Sequence, residues 1–251
     1  MSSWIVWCVL ALLAPAIAWL PAQEAAIRKF DTLTTSSGDL KITPIHHASL
    51  MLEWNDRIID VDPWGAEYYA GFPKADLILI TDTHSDHLDP KAMAAVTKED
   101  TVIVASEAAA RTIPVARSLA NGAKLELALA GVSIGIEAVA AYNLTRGPAP
   151  GQFYHPKGRG NGYILTLGGK RIYITGDTEC TPEIAALRNI DVAFICMNLP
   201  YTQTPQEAAE CVKKFRPAIV YPYHYLGQDL KAFEDALREE KGIEVRLRNW
   251  Y

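Results

Sequence analysis

The stretch Ile80-Thr81-Asp82-Thr83-His84-Ser85-Asp86-His87-Leu88-Asp89 decides how this chain is read. It continues the apolar run Leu77 to Thr81, which fits a short buried strand. Its polar residues therefore emerge at a strand end. His84, Asp86 and His87 lie within four residues, and a loop leaving a strand can aim all three at one centre. Imidazole nitrogen and carboxylate oxygen together suit zinc, and also iron or manganese. Such a density of ligand side chains behind an apolar strand is uncommon in a loop that merely faces water.

Upstream of this stretch, Lys41 to Pro44, Leu50 to Trp54 and Arg57 to Val61 read as strands. Asn55-Asp56 supplies a hairpin turn, and Asp62-Pro63-Trp64-Gly65 a further turn. Downstream, Pro90 to Val96 is predicted helical, Thr101 to Ala105 a strand, and Ser106 to Leu119 a helix broken or kinked at Pro114. Leu125 to Leu129, Gly131 to Ile136 and Glu137 to Tyr142 read as strands, followed by a Gly/Pro-rich loop from Thr145 to Asn161. Gly168-Gly169 joins the strands Tyr163 to Leu167 and Lys170 to Thr175. Then come a helix from Pro182 to Arg188, a strand from Val192 to Met197, and a helix from Pro205 to Phe215 opening on Thr204. A strand from Ala218 to Tyr221, a helix from Asp229 to Glu240 and a strand from Ile243 to Arg248 end the chain. Strands first, then strands mixed with helices, in two similar halves, predict an α/β, four-layer αββα sandwich.

On these residues the chain resembles the metallo-β-lactamase superfamily. The signature His-x-His-x-Asp-His is matched by His84, Asp86 and His87, with Asp82 where the first histidine normally stands. Gly176-Asp177-Thr178 resembles the segment whose aspartate bridges two metals, and His224 matches the final histidine ligand. His47-Ala48-Ser49 and Val61-Asp62-Pro63 resemble the opening strands of the branch containing ascorbate-phosphate lactonases and N-acyl-phosphatidylethanolamine phospholipases. The resemblance runs from about Lys41 to the C-terminus and implies the metallo-β-lactamase fold. It also implies two metal positions. The second would use Asp86, His87, Asp177 and His224. The first would use Asp82, His84 and Asp177, with Asn143 where a histidine is expected. Having exchanged imidazoles for harder oxygen ligands, the first position should be the weaker one, or should select Mn²⁺ or Mg²⁺. Zinc is the expected ion, one firmly bound and a second at the altered position, with manganese or iron as alternatives. His155 either ligates the first position, meets substrate or lies on the surface. Lys157 and Arg159 either clamp an anionic group or are solvated. His47 is expected near the site and His46 in a structural role, the two facing opposite sides of a regular strand. Asp62 either accepts from a ligand imidazole or caps the turn before Pro63.

The implied chemistry is hydrolysis of an ester, lactone, amide or phosphodiester. The metal would acidify a bound water, and Asp86 or Asp177 would orient it or pass a proton. Gly131-Val132-Ser133-Ile134-Gly135 spells G-x-S-x-G, but it lies in a strand-like stretch followed by another strand and not by a helix, so it makes no nucleophile elbow; no G-x-x-x-x-G-K-[ST] loop is present, and the serine-hydrolase and phosphate-loop classes are set aside. The alternatives are a non-hydrolytic metal-binding or redox protein of the same fold, or a membrane-tethered binding protein with a degenerate site. The net charge of −5 argues against a nucleic-acid partner; a small-molecule or lipid-like substrate is expected. Trp4 to Leu20 is apolar apart from Pro15 as a breaker. Residues 1–23 read as a signal peptide cleaved near Ala22 or Gln23, or as an anchor giving membrane contact. A domain from residue 25 to 251 would then be periplasmic, secreted or anchored. Cys180, Cys196 and Cys211 show no paired spacing. They are predicted to be small buried hydrophobes and not a disulfide framework.

Overall fold

The computed structural model describes residues 30–251 together with Met1. The apolar leader and its expected boundary near Ala22 or Gln23 lie outside them. The first sheet contains β1 (Asp31–Thr35), β2 (Gly38–His46), β3 (Ser49–Trp54), β4 (Arg57–Val61), β5 (Leu77–Ile80), β6 (Val102–Ser106) and β7 (Arg117–Leu119), side by side in chain order. The second contains β8 (Lys124–Leu129), β9 (Val132–Ala141), β10 (Gly160–Leu167), β11 (Lys170–Ile174), β12 (Val192–Cys196), β13 (Ile219–Tyr223) and β14 (Glu244–Val245), likewise in chain order. Each sheet opens with antiparallel neighbours and ends with parallel ones. The two similar halves expected from the sequence are these two sheets.

The inner faces meet in one core that includes Leu50, Ile59, Val61, Leu79, Ile136, Tyr163, Leu165 and Ile174. On the outer face of the first sheet, Met51, Ile58, Ile78 and Ile80 pack under Met93 and Val96 of α1 (Pro90–Val96) and Ala109 of α2 (Glu107–Ala110). α3 (Pro182–Ala185), α4 (Pro205–Phe215) and α5 (Leu230–Leu237) cover the second sheet, burying Ile184, Val212, Phe215 and Phe233. The layers are helix, sheet, sheet, helix, as expected. β5 is buried on both faces, so its sequence is a continuous apolar run and not an alternating one.

Several local expectations are corrected. The predicted helix Ser106 to Leu119 stops after Ala110, because Pro114 cannot continue it and Arg117–Leu119 pairs with β6 as an edge strand. Gly131 to Ile136 and Glu137 to Tyr142 are one ten-residue strand, β9, entered through a turn with Ala130 and Gly131 at positive φ. The last strand shrinks to Glu244–Val245, and β1 was not legible. The strand predicted to end at Tyr221 runs on through Pro222 to Tyr223 as β13, and the left-handed His224, φ 46°, makes the turn. Cys180 and Cys211 form a disulfide with Cα atoms 5.5 Å apart, joining the segment before α3 to α4; Cys196 is free and buried as expected.

β2, β4 and β5 run in one direction, as do β9, β11, β12 and β13. His47, Asp62, the segment from Asp82 to His87, Asn143, Asp177, Asn198 and His224 all follow the carboxyl ends of these strands. That edge is where open α/β sheets present ligand-binding groups.

Candidate metal centre

The loop after β5 is shaped by Asp82. Its Oδ1 accepts the backbone N–H groups of Thr83 (2.6 Å) and His84 (3.1 Å), an aspartate turn of the kind this short carboxylate favours. The N–H groups of His87 and Leu88 then close on the His84 carbonyl. This winds His84, Asp86 and His87 into one tight turn. His87 is fully buried. Its Nδ1 donates to Asp62 Oδ2 at 2.8 Å, and Asp62 also holds the Thr81 amide and hydroxyl. A carboxylate on Nδ1 orients the ring so that Nε2 faces the centre. Of the two roles expected for Asp62, the structure shows the contact with an imidazole, that of His87.

Asp177 lies at the middle. It reaches this place because Gly176 turns at φ 61°, where an added Cβ would stand 2.8 Å from the Asn161 carbonyl. Its Oδ2 is 3.3 Å from His87 Nε2 and 3.1 Å from His155 Nε2, and its Oδ1 is 3.2 Å from His224 Nε2. Burial opposes its charge, but His224, His87 and His155 hold its carboxyl well below the usual range. Burial likewise opposes charging of His87, and the Asp177 and Asp62 carboxylates outweigh it, raising its pKa well above that of a free imidazole. Asp86 Oδ2 lies 3.1 Å from His47 Nε2 and 3.6 Å from His224 Nε2.

Three overlapping sets each present donor atoms within 4.8 Å of one another: His87, Asp177 and His224; His84, His155 and Asp177; and His47, Asp86 and His224. The structure thus brings His84, Asp86, His87, Asp177 and His224 together with His155 and His47. Asn143 stands behind the first position: its Oδ1 accepts from His155 backbone N (2.7 Å) and Nδ1 (2.8 Å), and its Nδ2 donates to Glu179 and the Tyr201 carbonyl. His155 is the imidazole that stands there, buried and 3.1 Å from Asp177, so of the three places expected for it the surface is excluded. Asp82 belongs to none of the three sets and faces Arg159 instead. Lys157 turns outward to Glu183 and the face of Tyr142. His46 stacks on Trp64 and Tyr68. It does not stand opposite His47 on one strand, because His47 has left β2 with φ 56°.

Two residues were missed. Asn198 places Nδ2 3.3 Å from His224 Nε2. Buried Glu179 gathers Asn143 Nδ2, the amides of Thr145 and Arg146 and the Thr145 hydroxyl, so it orders the loop that carries Asn143. An acid beside Gly-Asp-Thr was a signal, but only the fold shows what it faces.

The donor set fits a divalent cation. Among the described residues, His87 Nε2 and Asp177 Oδ1 are buried without a hydrogen-bond partner. Orphaned buried donors and acceptors are costly unless something else satisfies them. Here they converge with further imidazole and carboxylate groups, which is the donor chemistry of zinc and its neighbours.

Comparison with known proteins identifies the family and the fold. Residues 41–224 match the model of the beta-lactamase superfamily domain. A protein of Parabacteroides distasonis assigned as a metal-dependent hydrolase is 47% identical, with a TM-score of 0.80 over 88% of this chain and 98% of its own. A UPF0173 metal-dependent hydrolase of Pelotomaculum thermopropionicum is 26% identical over 224 residues, 83% of this chain and 96% of the relative. The metallo hydrolase Igni18 of Ignicoccus hospitalis shares the fold, with a TM-score of 0.71 and 22% identity over 84% of this chain and 95% of its own. With the sandwich, the strand-end ligands and the matched segment in agreement, this chain belongs to the beta-lactamase superfamily.

Proposed function

We propose that this protein is a metal-dependent hydrolase of a small-molecule or lipid-like ester, lactone, amide or phosphodiester, acting at an ion held by Asp86, His87, Asp177 and His224. The observation that carries this reading is Asp177, which sits within 3.3 Å of three imidazoles while one of its own buried oxygens has no hydrogen-bond partner. When bound, a divalent ion lowers the pKa of a water and polarises the scissile bond. Zinc suits the donors best. Asp177 is fully enclosed and firmly ionised, which suits an anchor. Asp86 has its side chain about one-third exposed at the cleft, and His47 Nε2–H holds its Oδ2. That oxygen is the better placed of the two to orient the attacking water. Leu144, Phe153 and Tyr201 are exposed beside the His155 loop, and Tyr154 packs edge-on against Tyr201. An apolar rim of this kind favours a substrate with an acyl or aryl portion.

The Cys180–Cys211 disulfide favours an oxidising compartment, which supports export, with membrane contact through residues 1–23. Zinc-loaded protein should be assayed on short- and long-chain p-nitrophenyl esters, an acyl lactone, an acyl amide and bis-p-nitrophenyl phosphate, beside His224→Ala. Wild type should turn over at least one class in a chelator-sensitive way. His224→Ala should lose at least about 100-fold, since altering even an outer partner of a ligand costs 10–100-fold. Wild-type rates in the variant, or no turnover of any class, would contradict the proposal.

A further inference from the structure

The outer half of the metal centre contains a cation of the protein's own. Arg159 Nε lies 3.2 Å from Asp82 Oδ2, and its Nη2 lies 3.5 Å from His84 Nδ1. Asp82 Oδ1 is spent on the loop amides of Thr83 and His84. Both oxygens of the residue standing in for the family's first histidine are therefore engaged. The guanidinium is held in place by the fold. Arg159 immediately precedes β10, whose start is pressed against the end of β5. Asn161 N–H bonds the Thr81 carbonyl at 2.9 Å, and an added Cβ on Gly160 would lie 3.0 Å from Asp82 Oδ2. The Arg159 side chain is only 21% exposed.

We infer that Arg159 is a built-in competitor for the second ion: it occupies Asp82, leans on His84 and leaves the protein with one tightly held ion instead of a balanced pair. This rests on the metal-centre reading above. Charge separates the two positions. The inner one has the carboxylates of Asp86 and Asp177, with no lysine or arginine among the ion-pair partners of either among the described residues. The outer one shares Asp177 with the neutral donors of His84 and His155, and the charge of Asp82 is cancelled by Arg159. A fixed positive charge a few ångströms from a dication raises the cost of placing that dication, most of all where water is scarce. Arginine is suited to the role because it stays charged at any working pH.

The test uses the full chain, stripped by chelator and titrated with Zn²⁺ in equilibrium dialysis, with bound zinc counted by elemental analysis. Wild type should take up one equivalent tightly and a second at least about tenfold more weakly. Arg159→Gln should tighten the second ion by about tenfold or more, the scale of an outer-partner effect, and leave the first unchanged. Arg159→Lys, which keeps a cation, should retain a weak second ion. Circular dichroism checks the fold of each variant, and the wild-type count needs no variant. Two wild-type ions of equal affinity, or an unchanged second ion in Arg159→Gln, would overturn the role of Arg159 while leaving the inner centre intact. No zinc bound by wild type at all would overturn the metal-centre reading itself.

Discussion

At the scale of single residues, the same physics of buried charge has two outcomes in neighbouring strand positions. Asp62 is completely buried yet satisfied, by His87 Nδ1 and by the amide and hydroxyl of Thr81. Asp60, two residues earlier on β4, points into the outer apolar layer, and neither of its oxygens has a hydrogen-bond partner among the described residues. Burial pushes its carboxyl up to about 8. An unfolded aspartate releases its proton near 3.8, so between these values the unfolded chain holds fewer protons than the folded one. The stability this group contributes is full below about pH 4 and is lost as pH rises toward about 8. Asp60→Asn removes the titration. Its urea stability relative to wild type should improve between pH 5 and pH 8 by about 3–4 kcal/mol, one pKa unit being worth about 1.4 kcal/mol. Parallel pH profiles for the two proteins would refute the assignment.

At the scale of elements, the region around the centre is fastened from outside. Glu179 orders the loop from Asn143 to Arg146, and the next residue, Cys180, is bonded to Cys211 in α4 across 31 positions. α4 itself opens with a reciprocal capping box between Thr204 and Glu207. Closing a loop of that length stabilises a protein by about 2–4 kcal/mol. Cys211→Ala should lower the urea midpoint accordingly, and reductant should destabilise wild type but not the variant; a wild-type midpoint indifferent to reductant would show that the bond does not form. The periodic elements and the short-range cluster were legible in the sequence: α1 and α4 fall on the predicted residues, and His84, Asp86 and His87 share one turn. It failed where a distant partner decides. Ser106 to Leu119 has helical composition, but its end is claimed by the edge of β6. His155 stands in a Gly/Pro-rich loop with no periodicity, and its contacts with Asn143 and Asp177 draw it inward. The cysteine pair has no sequence spacing that betrays it, because its two halves meet only when α3 and α4 are packed.

At the scale of the whole molecule, the centre exists because two sheets are laced together along one edge. Asn161 N–H bonds the Thr81 carbonyl, Tyr163 Oη donates to the Ile80 carbonyl, and His224 N–H reaches the carbonyl of His47. The C-terminal tail returns from the second sheet to the first, where buried Trp250 accepts the His47 amide. Each sheet brings part of the proposed donor set: Asp86 and His87 come from the first, Asp177 and His224 from the second. A metal bound there would therefore tie the two halves of the fold together, and folding and metal affinity would be linked. The most direct measurement is anomalous diffraction at the zinc edge from crystals of the zinc-loaded chain. The expected result is a dominant peak about 2.0–2.2 Å from His87 Nε2, His224 Nε2 and the carboxylates of Asp86 and Asp177. A peak elsewhere, or no peak with these four side chains in the positions described, would contradict the metal centre.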